Sequence, residues 1–150
     1  LERARMGPLK QHRWDGYVNR LGLVYNRQAD LPNGGEKMER WLLNVETNCA
    51  DPAKEKAFNE WYDKVHLVDI LEVPGVMRAS RYEFANPTEG QPKFMAMYEV
   101  ETDDFGETMA ALGEKLKTIT EKGRMSELCV VCGARMYKQI TPVVERKKNK

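Results

Sequence analysis

Hydrophobic and polar positions change rhythm several times along the chain, and each change marks an element. Residues 41–49 (WLLNVETNC) alternate as a strand does. Asp51-Pro52 follows as a helix start: the aspartate can cap free N–H groups, and proline at the first helical position loses no hydrogen bond. Phe58, Trp61, Tyr62 and Val65 then fall at i, i+3, i+4 and i+7, one apolar stripe, while Lys54, Glu55, Glu60 and Lys64 face water. The spacing predicts a helix to about His66 and a short second piece through Leu71, closed by Pro74-Gly75. Residues 76–85 (VMRASRYEFA) read as a strand with mixed faces, 86–90 (NPTEG) as a turn, and 94–102 (FMAMYEVET) as a third strand. Thr102 or Asp103 is placed to cap a second helix with the stripe Phe105, Met109, Leu112, Leu116 and Ile119, and Gly123 stands at its C-terminal stop. A last strand is expected within 128–144, ending at Pro142.

The order β-α-β-β-α-β is the split βαβ plan, an α+β fold of ferredoxin-like topology with a four-stranded antiparallel sheet and two helices on one face. The other face is left bare. Apolar residues there, such as Met95 or Met97, need a cover, and a second copy of the chain is the simplest one. We expect this domain to span 40–144, followed by a solvated basic tail at 145–150 that carries Arg146, Lys147, Lys148 and Lys150. Residues 1–39 read as an N-terminal arm. In it Trp14, Tyr17, Val18 and Leu21 share a helical face, and Leu31-Pro32-Asn33-Gly34-Gly35 breaks the chain.

A length of 150 residues suits one domain with one core. The 24 basic and 23 acidic residues leave a net charge of +1, which gives no electrostatic case for a nucleic-acid partner. No apolar run is long enough for a membrane span, and charges in residues 1–10 interrupt the apolar stretch that an export signal needs. Three cysteines, an odd number, argue for free thiols and a cytoplasmic, reducing compartment. Cys129-Val130-Val131-Cys132 is a C-x-x-C, but no second pair completes a zinc knuckle and the two valines suit a buried strand, so no metal is expected. The sequence also lacks the glycine-rich phosphate loops, the serine elbow and the H-E-x-x-H zinc motif, and no cofactor is expected.

The run 58–76 (FNEWYDKVHLVDILEVPGV), followed by Arg78-Ala79-Ser80-Arg81-Tyr82, resembles the dimeric α/β-barrel superfamily, in particular its EthD-type and related branches. In these a helix bearing W/Y-Y-x-x-x-H ends in H-L-P-x-x-x-x-x-P-G and enters a strand carrying Arg and Tyr. The resemblance spans roughly residues 40–142. It departs at Val68, where the pattern has proline, and this bears on where the helix breaks after His66 and how that imidazole is aimed. The resemblance implies a dimer and a cavity between sheet and helices. It leaves the reaction open, because the superfamily holds cofactor-free monooxygenases, lactone isomerases, polyketide cyclases and haem enzymes.

His66 leads the candidate chemistry, since imidazole titrates nearest neutrality; the alternative is a helix-terminal histidine bonded to the last carbonyls. Tyr62 and Asp69 are placed to hold the ring in one tautomer, although Tyr62 also belongs to the core stripe and Asp69 reads equally as solvent-facing. Alternation puts Arg78 and Tyr82 on one face of the second strand and Arg81 and Glu83 on the other. An arginine on the cavity side would stabilise an enolate or carboxylate; one on the outside would pair with Glu99 or Glu101. The expected catalytic set is His66, Tyr62 and Arg81, with Arg78, Tyr82, Asp69 and Trp61 as substrate-binding residues. The function expected is a cofactor-independent isomerase, cyclase or lyase that moves a proton on a small apolar or aromatic carbonyl compound. Its alternatives are a non-catalytic ligand-binding or stress-associated dimer and a haem protein with His66 as axial ligand.

Overall fold

The structure, a computed structural model, describes residues 38–148. Residues 1–37 of the expected arm, with Trp14, Tyr17 and the break at Leu31 to Gly35, lie outside the described residues, and Glu39 already belongs to the first strand.

Four strands, β1 (Glu39–Cys49), β2 (Val76–Glu83), β3 (Phe94–Thr102) and β4 (Cys129–Lys138), form one antiparallel sheet in the order β2-β3-β1-β4. Helix α1 joins β1 to β2 and is built of three consecutive pieces, Glu55–Trp61, Tyr62–His66 and Leu67–Leu71. Helix α2 (Phe105–Glu121) joins β3 to β4. This is the ferredoxin-like plan.

Alternation shows which face carries the helices. Along β3 every even residue from Phe94 to Thr102 is buried and every odd one is only partly so. The register sets Leu43 and Ala79 beside Tyr98, and Arg81 beside Ala96, so these residues share the helix-covered face. Phe58, Tyr62 and Ile70 of α1 and Met109, Leu112 and Ile119 of α2 close the core over them. On the bare face lie Arg78, Ser80, Tyr82, Met95 and Met97, with Arg78 paired to Glu99 across the strands. Of the two arginines that alternation places on opposite faces, Arg78, expected to bind substrate, is the outward one.

Local chemistry explains the element starts. Asp51 caps a single 3₁₀ turn (Pro52–Lys54) that leads into α1, its Oδ1 accepting from the Ala53 N–H at 3.0 Å. The cap of α2 is Asp104, not Thr102 or Asp103: its Oδ1 accepts from the Glu107 N–H at 2.9 Å. Thr102 instead stays in β3 and accepts from the Thr108 hydroxyl at 2.8 Å, tying strand to helix. Gly75 turns the chain at φ +92°, and an added Cβ would meet the Glu101 carbonyl at 3.1 Å. Glycine allows that approach, and the Glu101 N–H donates to the Gly75 carbonyl at 2.8 Å.

Two strand ends differ from expectation. β2 stops at Glu83 and β4 at Lys138, short of Ala85 and Pro142. α1 runs on past His66 to Leu71, as the spacing predicts. Val68 carries the N–H that a proline lacks, so the ladder continues to Leu71. The irregularity falls earlier, as a wide π-turn over Tyr62–His66 in which the Leu67 N–H reaches the Tyr62 carbonyl.

Candidate active site

His66 therefore sits in the middle of α1 rather than at a helix end, and no macrodipole acts on it as a terminal charge would. The π-turn aims the imidazole inward, where only 8% of the residue is exposed. The Trp61 indole stacks on it at 5.0 Å between centroids and 27° between planes, and the Tyr62 ring meets it edge-on at 4.9 Å. Burial pushes its pKa down to about 4, against a smaller upward pull from Asp69 and with a further downward push from Arg81. The imidazole is thus neutral at physiological pH. Its Nδ1 is buried and has no hydrogen-bond partner among the described residues.

Arg81 reaches the same place from β2. Its guanidinium lies 4.3 Å from the centre of the Tyr62 ring and 5.5 and 5.3 Å from those of Phe58 and Phe94. One end donates to Asp63 at 2.7 Å and Asn59 at 2.8 Å, while the buried Nε has no partner among the described residues. Tyr98 of β3 and Thr47 of β1 complete the cluster with buried hydroxyls, likewise without partners among the described residues. Burial raises the phenols of Tyr62 and Tyr98 well above their usual range and pushes the neighbouring Cys129 thiol up to about 12. All three stay protonated at neutral pH. Unpartnered polar atoms from α1, β1, β2 and β3 therefore lie buried on one side of the sheet, and native interiors rarely leave such groups unmatched.

The structure brings together His66, Tyr62, Arg81 and Trp61. It sends Arg78 and Tyr82 elsewhere: both lie on the bare face, Tyr82 half exposed and touched by the Ser80 hydroxyl at 3.3 Å, so neither shares the cluster's side of the sheet. Asp69 is not solvent-facing. It is 5% exposed and clamped by Arg124 through two hydrogen bonds of 2.8 and 2.9 Å, so its oxygens bind arginine rather than hold the imidazole in a tautomer. Sequence reading missed Thr47, Tyr98 and Arg124. Tyr98 had a signal, its even position in an alternating strand; Arg124 had none.

Cys49 and Cys129 are cross-strand neighbours and Cys132 occupies a bulge in β4 where the register shifts; all three are free thiols. Among the described residues no cluster of His, Cys, Asp or Glu is placed to hold a metal ion, and no helix is long and apolar enough to cross a membrane.

No family model matches the sequence, and no curated protein matches it. Solved structures do. HapK from Hahella chejuensis is similar over 71% of this chain and 99% of its own, at a TM-score of 0.52 and 12% identity. A dimeric ferredoxin-like protein from an uncultured marine organism is similar over 70% and 99%, at 0.50 and 12% identity. An EthD family protein from Bacillus halodurans is similar over 68% and 99%, at 0.40 and 18% identity. The chain shares with them the ferredoxin-like fold.

Proposed function

We propose that the protein is a cofactor-independent enzyme that binds a small apolar or aromatic carbonyl compound against the α1–sheet cluster and moves a proton with His66, in an isomerase-, cyclase- or lyase-type step. One observation carries this reading: a buried, neutral imidazole whose Nδ1 has no partner among the described residues, beside a guanidinium whose Nε also has none. In such a step a C–H next to the carbonyl gives its proton to the imidazole. The electron pair moves onto the carbonyl oxygen, where the Arg81 Nε–H and the Tyr98 hydroxyl are the available donors. The imidazolium then returns the proton at another carbon or to a leaving group. Aromatic walls supply the dry surroundings that strengthen these interactions.

The first test is a panel of small carbonyl and aromatic compounds, scored by thermal stabilisation and then by turnover. The sign of the pH dependence follows from the depressed pKa. A base must be unprotonated, so activity is kept as pH falls through 6.5 and is lost only near pH 4, where His66 takes up its proton. An acid limb of kcat/KM at pH 6 to 7 would assign the base to another group. The same low pKa favours a second reading. A base that weak has little driving force near neutrality, which suits a non-catalytic ligand-binding dimer; stabilising ligands that never turn over would select it.

The assembly we infer is a homodimer closed by the bare sheet face, a cytoplasmic protein in keeping with its odd cysteine count. Half-exposed Tyr82 and Tyr137 and partly exposed Met95 and Met97 on that face support it. The buried area should exceed about 2,000 Å², as in obligate dimers. Light scattering that finds only a 17.3 kDa species at micromolar concentration would rule the dimer out.

A further inference from the structure

We propose that Arg124 is a positioning residue for His66: it clamps Asp69, holds the Trp61 indole against the imidazole, and screens that ring from the carboxylate three residues further on. The proposal rests on the reading of His66 as the reacting group, but its geometry stands alone. Arg124 follows the left-handed Gly123 (φ +69°), and its N–H donates to the Ile119 carbonyl at 2.8 Å, so the end of α2 fixes where it stands. Its Nε and Nη2 donate to the two oxygens of buried Asp69 at 2.8 and 2.9 Å, a bidentate fork between the helices. Its backbone carbonyl accepts from the Trp61 indole N–H at 2.8 Å, and that indole stacks on His66. One residue on the α2–β4 loop thus holds the outer wall of the cluster and neutralises the nearest anion.

The charged groups that act on the imidazole are Asp69 and Arg81. Asp69 lies on its own helix and Arg81 on β2, Tyr62 of α1 meets the ring edge-on, and Tyr98 of β3 and Cys129 of β4 stand next to Tyr62 rather than to the imidazole. Asp69 favours the imidazolium and Arg81 opposes it. Removing Arg124 leaves the carboxylate without its counter-ion, so the imidazolium gains. The backbone carbonyl survives such a substitution, but the ion pair that holds its loop in place does not.

The test is an NMR titration of the full chain. His12 is the only other histidine, and its signal is identified in a His12→Gln variant. Arg124→Met should raise the His66 midpoint by about one unit, the usual worth of a nearby opposite charge. It should also shift and broaden the Trp61 indole N–H signal at neutral pH. Arg124→Lys keeps the charge without the fork, so it should restore most of the midpoint but not the indole signal. Asp69→Asn, nearly isosteric, should move the midpoint the other way. An unchanged midpoint and indole signal in Arg124→Met overturns the proposal. If that variant does not fold, Asp69→Asn decides alone, and a midpoint that fails to fall overturns it. Neither readout needs turnover, so failure of the proposed reaction would show as the absence of any substrate, while failure of this inference would show in the spectra.

Discussion

Replacing His66 by alanine is expected to lower turnover by roughly 10²- to 10⁴-fold, the range for removal of a positioned general acid/base. Alanine alone does not isolate the chemistry. The imidazole is buried between Trp61 and Tyr62, so truncation also opens a cavity and should lower stability by about 1–3 kcal/mol. His66→Gln separates the effects, since glutamine keeps most of the volume and hydrogen-bonding capacity but cannot titrate. Its kcat should fall almost as far as that of the alanine variant, while its unfolding midpoint stays near that of the unmodified chain. A glutamine variant that turns over normally would return His66 to a packing role.

Arg81→Ala should cause the largest stability loss among the site variants, about 3 kcal/mol. The guanidinium is mostly buried and joins edge strand β2 to α1 by two hydrogen bonds and by contact with the Phe58 and Tyr62 rings, with Phe94 of β3 as a third ring beside it. Charge-assisted hydrogen bonds contribute about 1.5–3 kcal/mol and desolvated cation–π contacts up to about 2 kcal/mol. The pair with Asp63 adds little, because that carboxylate is 56% exposed and screened by water. For a domain of this size the loss corresponds to a Tm lower by roughly 10–20 °C. Arg81→Lys should recover only part of it, since an ammonium cannot reach Asn59 and Asp63 in one plane. Urea unfolding checks both variants: the midpoint should fall with the slope unchanged. An alanine variant that melts within a degree or two of the unmodified chain would show that the guanidinium is no staple.

These residues differ in how far the chain alone reveals them. The sheet was legible because burial on one face imposes a period of two, and β3 follows it without a break from Phe94 to Thr102. The same rule separated Arg78 from Arg81 correctly. Caps were harder, since Thr102, Asp103 and Asp104 are all competent side chains and only the position of the first free N–H selects among them. The π-turn left no pattern to read, and with it went the position of His66 along the helix. Arg124 was out of reach for a different reason. It meets Asp69 across 55 residues, and no local period encodes a contact between a loop and a helix that the fold alone brings together.

The π-turn has a consequence for the phase of α1. Phe58, Tyr62, His66 and Ile70 are all buried, at successive intervals of four. In a regular helix of 3.6 residues per turn each such interval overshoots a full turn by about 40°, so three of them would carry Ile70 about 120° around the axis from Phe58. The wide turn between the second and third of these residues under-rotates and takes back much of that precession. The stripe therefore stays pointed at the sheet. Straightening the helix would swing Ile70 out of the core, so the packing of an ordinary isoleucine one turn further on keeps the wound-out segment from relaxing. The aim of the imidazole is set in this way by hydrophobic contacts on either side of it, and His66 needs no hydrogen bond of its own to stay in place.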